Sequence, residues 1–168
     1  MIRIGQGFDV HRFARGRLCI IGGARIPSGK GLLGHSDADV LVHAVMDAVL
    51  GALALGDIGT WFPDNDSAYK NADSLKLLSK ILSDSRLKGW KLVNLDSTIV
   101  AEKPRIAEYV PEIRRNLAKV FFVKENCISV KATTTEGMGF CGRGEGIAAM
   151  AVILLEKKEP ARRGMKRK

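Results

Sequence analysis

The spacing of apolar residues divides this chain into strands and helices. Arg3 to His11 alternates as a strand running into a loop, which sets Asp9 and His11 on the same side of extended chain. Leu18–Ile21 and Ala24–Pro27 flank Gly22–Gly23, the pattern of a β-hairpin with a two-residue turn, and Ser28–Gly31 is a loop. A helix is expected from near Ser36, where Ser36 and Asp39 resemble a capping box with Asp in place of Glu. Its apolar face is Leu41, Val45, Ala48, Val49, Ala52 and Leu53, and Gly56 marks its stop. His35, Asp39, His43 and Asp47 recur at intervals of four along another face. Most of this helix is apolar, so it is expected to be largely buried, with its His and Asp groups satisfied by partners.

Beyond the loop Asp57–Asp66, Asn71 or Asp73 can cap a second helix with Leu75, Leu78, Ile81 and Leu82 inward. Leu92–Val100 reads as a strand with Val93, Leu95 and Ile99 on one face. Ala101–Ala107 is a connection containing Pro104. A third helix is expected from about Pro111, with Ile113, Leu117 and Val120 in register. Cys127–Thr135 reads as a strand. After the glycines at 137, 139, 142, 144 and 146, Ile147–Leu155 fits a helix or a strand by length, and the glycines favour a buried strand. No internal repeat is visible. The expectation is one α/β (α+β) domain over residues 1–156, a mixed sheet with helices packed on one face.

Composition narrows the class. The 168 residues suffice for one core, and 46% hydrophobic with 27% charged residues is ordinary for a globular protein. No apolar run is long enough to cross a bilayer, and the strand-like start suggests no targeting peptide. The three cysteines form no pair motif, so a reducing compartment, the cytoplasm, is expected. The net charge of +9 invites a nucleic-acid reading. However, residues 156–168 carry seven Lys or Arg against two Glu, which leaves the body only modestly basic. Residues 157–168 read as a basic, disordered tail. A nonspecific nucleic-acid or assembly protein remains an alternative.

All three histidines lie beside acidic residues in two short segments. Asp9, His11 and either His35 or His43 offer one carboxylate and two imidazoles, a three-ligand set that leaves a fourth position open on Zn²⁺. Spacing alone does not choose between the two histidines. The bland alternative is that these are hydrogen-bonded histidines with no metal. Lys131-Ala-Thr-Thr-Thr-Glu136 could cradle phosphate or hold Mg²⁺, or could be a Thr-rich strand. Asp57, Asp64 and Asp66 suit sugar hydroxyls or ordinary turns. A zinc phosphoesterase fits these groups too.

Six motifs in order carry a resemblance. They are Gly5-Gln-Gly-Phe-Asp-Val-His11, Gly34-His-Ser-Asp-Ala-Asp39 with His43, Leu55-Gly-Asp-Ile-Gly59, Phe62-Pro-Asp-Asn-Asp66, Lys131-Ala-Thr-Thr-Thr-Glu136 and Gly139-Phe-Cys-Gly-Arg-Gly-Glu-Gly146. Residues 1–156 resemble the 2-C-methyl-D-erythritol 2,4-cyclodiphosphate synthase family of non-mevalonate isoprenoid biosynthesis. The resemblance implies a homotrimer with active sites between subunits. It implies Zn²⁺ on Asp9, His11 and His43, and Mg²⁺ or Mn²⁺ near Glu136. His35 and Thr134 are implied to stabilise the transition state. Substrate contacts are implied at Asp9, Val10, His11, His35, Ser36, Asp57, Ile58, Gly59, Phe62, Pro63, Asp64, Asn65 and Asp66. Further contacts are implied at Ala101, Glu102, Lys103, Pro104, Arg105, Ile106, Ala107, Thr133, Thr134, Thr135, Glu136, Phe140 and Arg143. Arg143 and Glu145 are implied to line a central cavity able to hold an isoprenoid diphosphate. Neither a membrane nor a specific nucleic acid is implied as a partner.

Overall fold

The computed structural model describes residues 1–157. In chain order, strand β1 (Ile2–Ala14) leads to the hairpin β2 (Cys19–Ile21) and β3 (Ala24–Ile26), then to β4 (Gly31–Leu32). Helix α1 (Val40–Ala52) and the short α2 (Ile58–Trp61) follow, then α3 (Ser74–Leu82) and β5 (Trp90–Val100). The chain continues through α4 (Val110–Phe121), β6 (Ile128–Thr133), the single turn α5 (Gly139–Gly142) and β7 (Gly146–Lys157). The main sheet has the order β4-β1-β7-β5-β6. Only β5 and β6 run parallel, so the sheet is mixed and the domain is α+β, as expected. No helix among the described residues is long and apolar enough to cross a membrane.

Side-chain alternation gives the sheet two different faces. Ile147, Ala149, Ala151, Ile153 and Leu155 of β7 point inward with Leu95 and Ile99 of β5, beneath the helices. On β1 the inward positions are Gly5, Gly7, Asp9 and His11. The opposite face of β1 and β7 is also apolar: Ile2, Ile4, Phe8, Val10, Met150 and Val152 are all exposed. Farther across this face, Asp96 and Lys131 pair as charges.

Helix α1 is the centre of the core, with eleven of its thirteen residues buried. It lies unusually close to β1. A Cβ added at Gly5 would sit 1.9 Å from the Ala48 carbonyl oxygen, and one at Gly7 would sit 1.9 Å from that of Ala44. These two glycines, facing alanines, let strand backbone rest on helix backbone.

Several expectations need correction. The helix starts at Val40, not near Ser36. Its cap is Asp39, whose carboxylate accepts from Val42 N at 3.0 Å and also from Gly22 N and Gly23 N at 2.9 and 2.7 Å. Ser36 takes no part in that cap, and Ala38, at φ +60°, breaks any helical path from 35 to 39. The four-residue stripe from His35 to Asp47 is therefore not one helix face. Leu77, not Leu75, completes the buried side of α3 with Leu78 and Ile81, and Leu82 is only partly buried. In β5 an irregularity between Leu92 and Asn94 puts Leu92 in the core and leaves Val93 exposed. Strand β6 begins at Ile128 and stops at Thr133, before Thr134 and Thr135. Lys157 closes β7 and exchanges backbone bonds with Met1. The rest of the expected basic tail, 158–168, lies outside the described residues.

The Gly7 contact has a measurable consequence. Gly7→Ala should cost about 1–3 kcal/mol through overpacking, seen as a lower urea midpoint at unchanged slope. Gln6→Ala, on the exposed face, should stay within about 0.5 kcal/mol.

Candidate functional site

Beyond Gly7, β1 carries Asp9 and His11 on the same inward face, while the helix it touches carries His43 one residue before Ala44. Strand and helix run in opposite senses, so Gly5 meets Ala48, Gly7 meets Ala44, and Asp9 then meets His43. Asp9 Oδ2 lies 3.1 Å from His11 Nε2 and 3.1 Å from His43 Nδ1. The two imidazole nitrogens are 3.0 Å apart. Asp9 Oδ1 accepts from Val10 N at 2.8 Å, which fixes the carboxylate. Burial works against charge on Asp9, but its bonds to His11 and His43 outweigh burial and hold its pKa well below the usual carboxylate range. Burial works against a charged His43 as well, yet the Asp9 bond prevails and raises its pKa.

These three residues can hold a metal ion. Ligand bonds of about 2.0–2.1 Å at tetrahedral angles set ligand atoms roughly 3.3 Å apart. The observed separations of 3.0 and 3.1 Å come close to one face of such a tetrahedron. The fourth corner opens into a cavity of about 360 Å³. Among the described residues this is the one His/Cys/Asp/Glu cluster with that convergence. Geometry thus selects His43 over His35, the choice that spacing left open.

His35 instead lines the cavity wall, its Nε2 donating to the Asp66 carbonyl at 3.0 Å. Ser36, Ile58, Gly59, Phe62 and Asp64 also line the cavity. Asp47 accepts from Ile58 N at 2.9 Å and so ties α1 to the α2 wall. Asp57 caps α2 through Thr60 N at 2.8 Å, and Asp66 caps the following turn through Ala68 N at 2.9 Å. Two of the three loop aspartates therefore do ordinary turn work. Pro63, Asn65, Asp57 and Asp66 do not line the cavity. Val10 points to the opposite face of the sheet, so its side chain cannot reach it.

The remaining candidates form a second cluster. Ala101 N donates to the Thr133 carbonyl at 3.0 Å. Glu102 Oε1 accepts from Thr135 N, Thr135 Oγ1 and Gly137 N at 2.9, 3.2 and 3.2 Å. Thr134 Oγ1 donates to Glu136 at 2.9 Å. Ala101 and Ile106 are buried; Lys103, Arg105, Ala107, Phe140 and Arg143 are exposed, and Pro104 is half-buried. Arg143 pairs with Glu145 at 2.6 Å. None of this cluster lines the metal-side cavity. Register places Asp9 opposite Ala149, Ala149 opposite Ile99, and Ile99 opposite Ala132. The two clusters thus share one end of the sheet but are three strand steps apart, roughly 14 Å.

Three residues beyond the sequence candidates belong to the site: Asp37, Ser74 and Tyr69. Tyr69 lines the cavity beside Phe62, their ring centroids 5.0 Å apart. Ser74 bonds His43 Nε2 at 3.1 Å and Asp37 at 2.5 Å. Asp37 had a signal in its Asp-x-Asp pattern with Asp39, whereas Ser74 lies 31 residues from His43 and had none.

The YgbB family model matches residues 2–156. The chain belongs to that family, the 2-C-methyl-D-erythritol 2,4-cyclodiphosphate synthases. A curated synthase of that name from Halalkalibacterium halodurans is 59% identical over 94% of this chain and all of its own length. The bifunctional IspDF of Campylobacter jejuni superposes with a TM-score of 0.89 at 41% identity, over 95% of this chain. This chain spans 43% of that longer protein. The IspF protein of Plasmodium falciparum, solved as a CDP complex, gives a TM-score of 0.79 at 34% identity, over 94% of this chain and 97% of that one.

The triad predicts its own loss. Asp9→Ala, His11→Ala and His43→Ala should each reduce bound divalent metal from about one per chain to near zero by elemental analysis. Full occupancy in His43→Ala would remove it from the ligand set.

Proposed function

We propose that this chain converts 4-diphosphocytidyl-2-C-methyl-D-erythritol 2-phosphate into 2-C-methyl-D-erythritol 2,4-cyclodiphosphate and CMP, in non-mevalonate isoprenoid biosynthesis. The observation that carries the reading is 59% identity over a full-length synthase, joined to the convergent Asp9–His11–His43 group. In this reaction an oxygen of the 2-phosphate forms a bond to the β-phosphorus. The bond from that phosphorus to the bridging oxygen breaks, and CMP leaves with the electron pair. The protein then needs no nucleophile of its own, only a way to fold the substrate back on itself.

Charge is the obstacle. Two unit charges brought to about 4 Å repel by about 4 kcal/mol at an effective dielectric of 20. The cavity lining contains Asp9 and Asp64 but no Lys or Arg. Zn²⁺ on Asp9, His11 and His43 would supply Lewis acidity and a fixed positive charge there. Glu136, with the Thr134 hydroxyl, suits a second ion, Mg²⁺ or Mn²⁺, among phosphate oxygens. His35, held by Asp66, presents its ring to the reacting phosphates, and the Phe62–Tyr69 pair excludes water beside the erythritol part. The loop 101–107 and Thr133–Thr135 bind the cytidine and its phosphates.

Neighbouring copies bring the two clusters together. The exposed apolar face of β1 and β7 suits a buried contact between three chains, the homotrimer of this reading. Arg143 and Glu145 would line its central cavity, open to an isoprenoid diphosphate. The enzyme is cytoplasmic in this reading and binds no specific nucleic acid.

Phosphorus NMR of the purified protein with substrate and Mg²⁺ should show CMP and the cyclic diphosphate growing in step. A linear product with inorganic phosphate would instead indicate a phosphoesterase. His35→Ala should keep its metal yet lose about 10²-fold or more in turnover; loss of metal there would contradict its placement. Phe8→Asp should lower the sedimenting mass from three chains to one and abolish turnover while α1 stays folded. A trimeric, active Phe8→Asp would remove the sheet face from the assembly.

A further inference from the structure

Both ring nitrogens of His43 are engaged. Nδ1 faces Asp9 and His11, the metal side. Nε2 faces away from it, 3.0 Å from Ser36 Oγ and 3.1 Å from Ser74 Oγ. Ser74 is wholly buried at the start of α3. Its hydroxyl lies 2.5 Å from Asp37 Oδ1, and its backbone N–H donates to Asp37 Oδ2 at 3.0 Å. Asp37 Oδ1 also accepts from Asp39 N at 3.2 Å.

An ionised carboxylate only accepts, and a hydroxyl has one hydrogen to give. Asp37 takes the Ser74 hydrogen, in the short range expected for O–H to a carboxylate. The Ser74 oxygen is left to accept, and its partner on the ring side is His43 Nε2. Nε2 therefore carries a hydrogen. On the other side of the ring the ionised Asp9, 3.1 Å away, takes a hydrogen from Nδ1 in the absence of metal, so the Nδ1 hydrogen is the one a metal displaces. Ser36 fits the same assignment: its oxygen accepts from Ala38 N at 3.1 Å and can accept from Nε2, while its own hydrogen can turn to Ser74 Oγ, 3.5 Å away.

We propose that Asp37 and Ser74 are positioning residues that hold His43 as the Nε2–H tautomer and so reserve its Nδ1 lone pair for the metal. Metal-binding histidines commonly donate their other N–H to a carboxylate or carbonyl. Here a serine stands between carboxylate and ring, and it comes from a different helix. The relay also joins three elements at one point: the loop before α1, α1 itself and α3. This inference rests on the metal-centre reading, but the tautomer can be observed without any metal.

Long-range ¹H–¹⁵N spectra of the metal-free full chain, labelled at histidine, report which ring nitrogen is protonated. The wild type should show His43 protonated at Nε2 above its titration range. Ser74→Ala should populate the Nδ1–H form. So should Asp37→Asn, whose amide can donate to Ser74 and free that hydroxyl to turn toward Nε2. In competition with a zinc indicator, both variants should bind Zn²⁺ about 10–100-fold more weakly. Thermal melting separates a packing role, which would lower Tm without moving the ring spectrum. An Nδ1–H ring in the wild type overturns the proposal. So do variants that keep the wild-type tautomer and bind zinc within twofold. A wild type that shows Nε2–H but binds no zinc would instead sink the metal-centre reading on which the relay depends.

Discussion

Everything at the candidate site depends on how closely strand β1 lies against helix α1. At Gly5 and Gly7 there is no room for a methyl group between strand backbone and the carbonyls of Ala48 and Ala44. The contact sets distance, direction and register together. One step farther along the strand and one residue back along the helix, the small residues give way to Asp9, His11 and His43. The same packing that closes the core therefore delivers three ligand atoms to within 3.0 and 3.1 Å of one another. A loosened contact would spread these three atoms before it unfolded the domain, and a metal-binding set tolerates errors of only about 0.5 Å.

A second constraint acts at the start of that helix. Asp39 is fully buried and accepts three backbone N–H groups, from Gly22, Gly23 and Val42. Burial pushes its carboxyl up to about 6, with the Gly23 N–H working against the rise. It joins the β2–β3 turn to the first turn of α1, and so fixes where the helix begins. Because the helix begins at Val40, the five residues before it are free to form a loop rather than a helical turn. That loop supplies His35 and Ser36 to the cavity and Asp37 to Ser74.

How far this could be read in advance follows from which interactions are local. The Gly22–Gly23 hairpin, the closing strand and the α3 cap Asp73 were legible, since turn residues, apolar alternation and caps act over a few positions. Asp9 and His11 were legible as a pair for the same reason. The helix start is not legible, because Ser36 and Asp39 imitate a capping box, whereas the true cap is chosen by the distant turn that Asp39 also binds. The His35–Asp47 stripe failed with it. Val93 departs from its expected face because one irregular residue in β5 reverses the alternation, and nothing in Leu92-Val93-Asn94 announces it. The choice of His43 over His35 needed either the family resemblance or the packing of α1 on β1. Ser74 could not be found from sequence, since α3 reaches His43 only once the core is assembled.

The sheet itself carries the argument for assembly. A sheet with helices on one side ordinarily turns a polar face to water. Here the outer face of β1 and β7 is largely apolar, yet the neighbouring outer face of β5 and β6 has a charged pair. That restricts the sticky surface to the two strands that carry and brace the metal ligands. The second cluster lies at the same end of the sheet but roughly 14 Å along the row, too far for one chain to close both around a single diphosphate. Covering the apolar strands with other copies of the chain, as in the proposed assembly, would answer both facts. It would bury a surface that is otherwise costly in water, and it would let the Thr134–Glu136 edge of one copy approach the Asp9–His11–His43 side of the next. Folding, assembly and catalysis would then share the same strand, with Gly5 and Gly7 on its inner face and Phe8 and Val10 on its outer one.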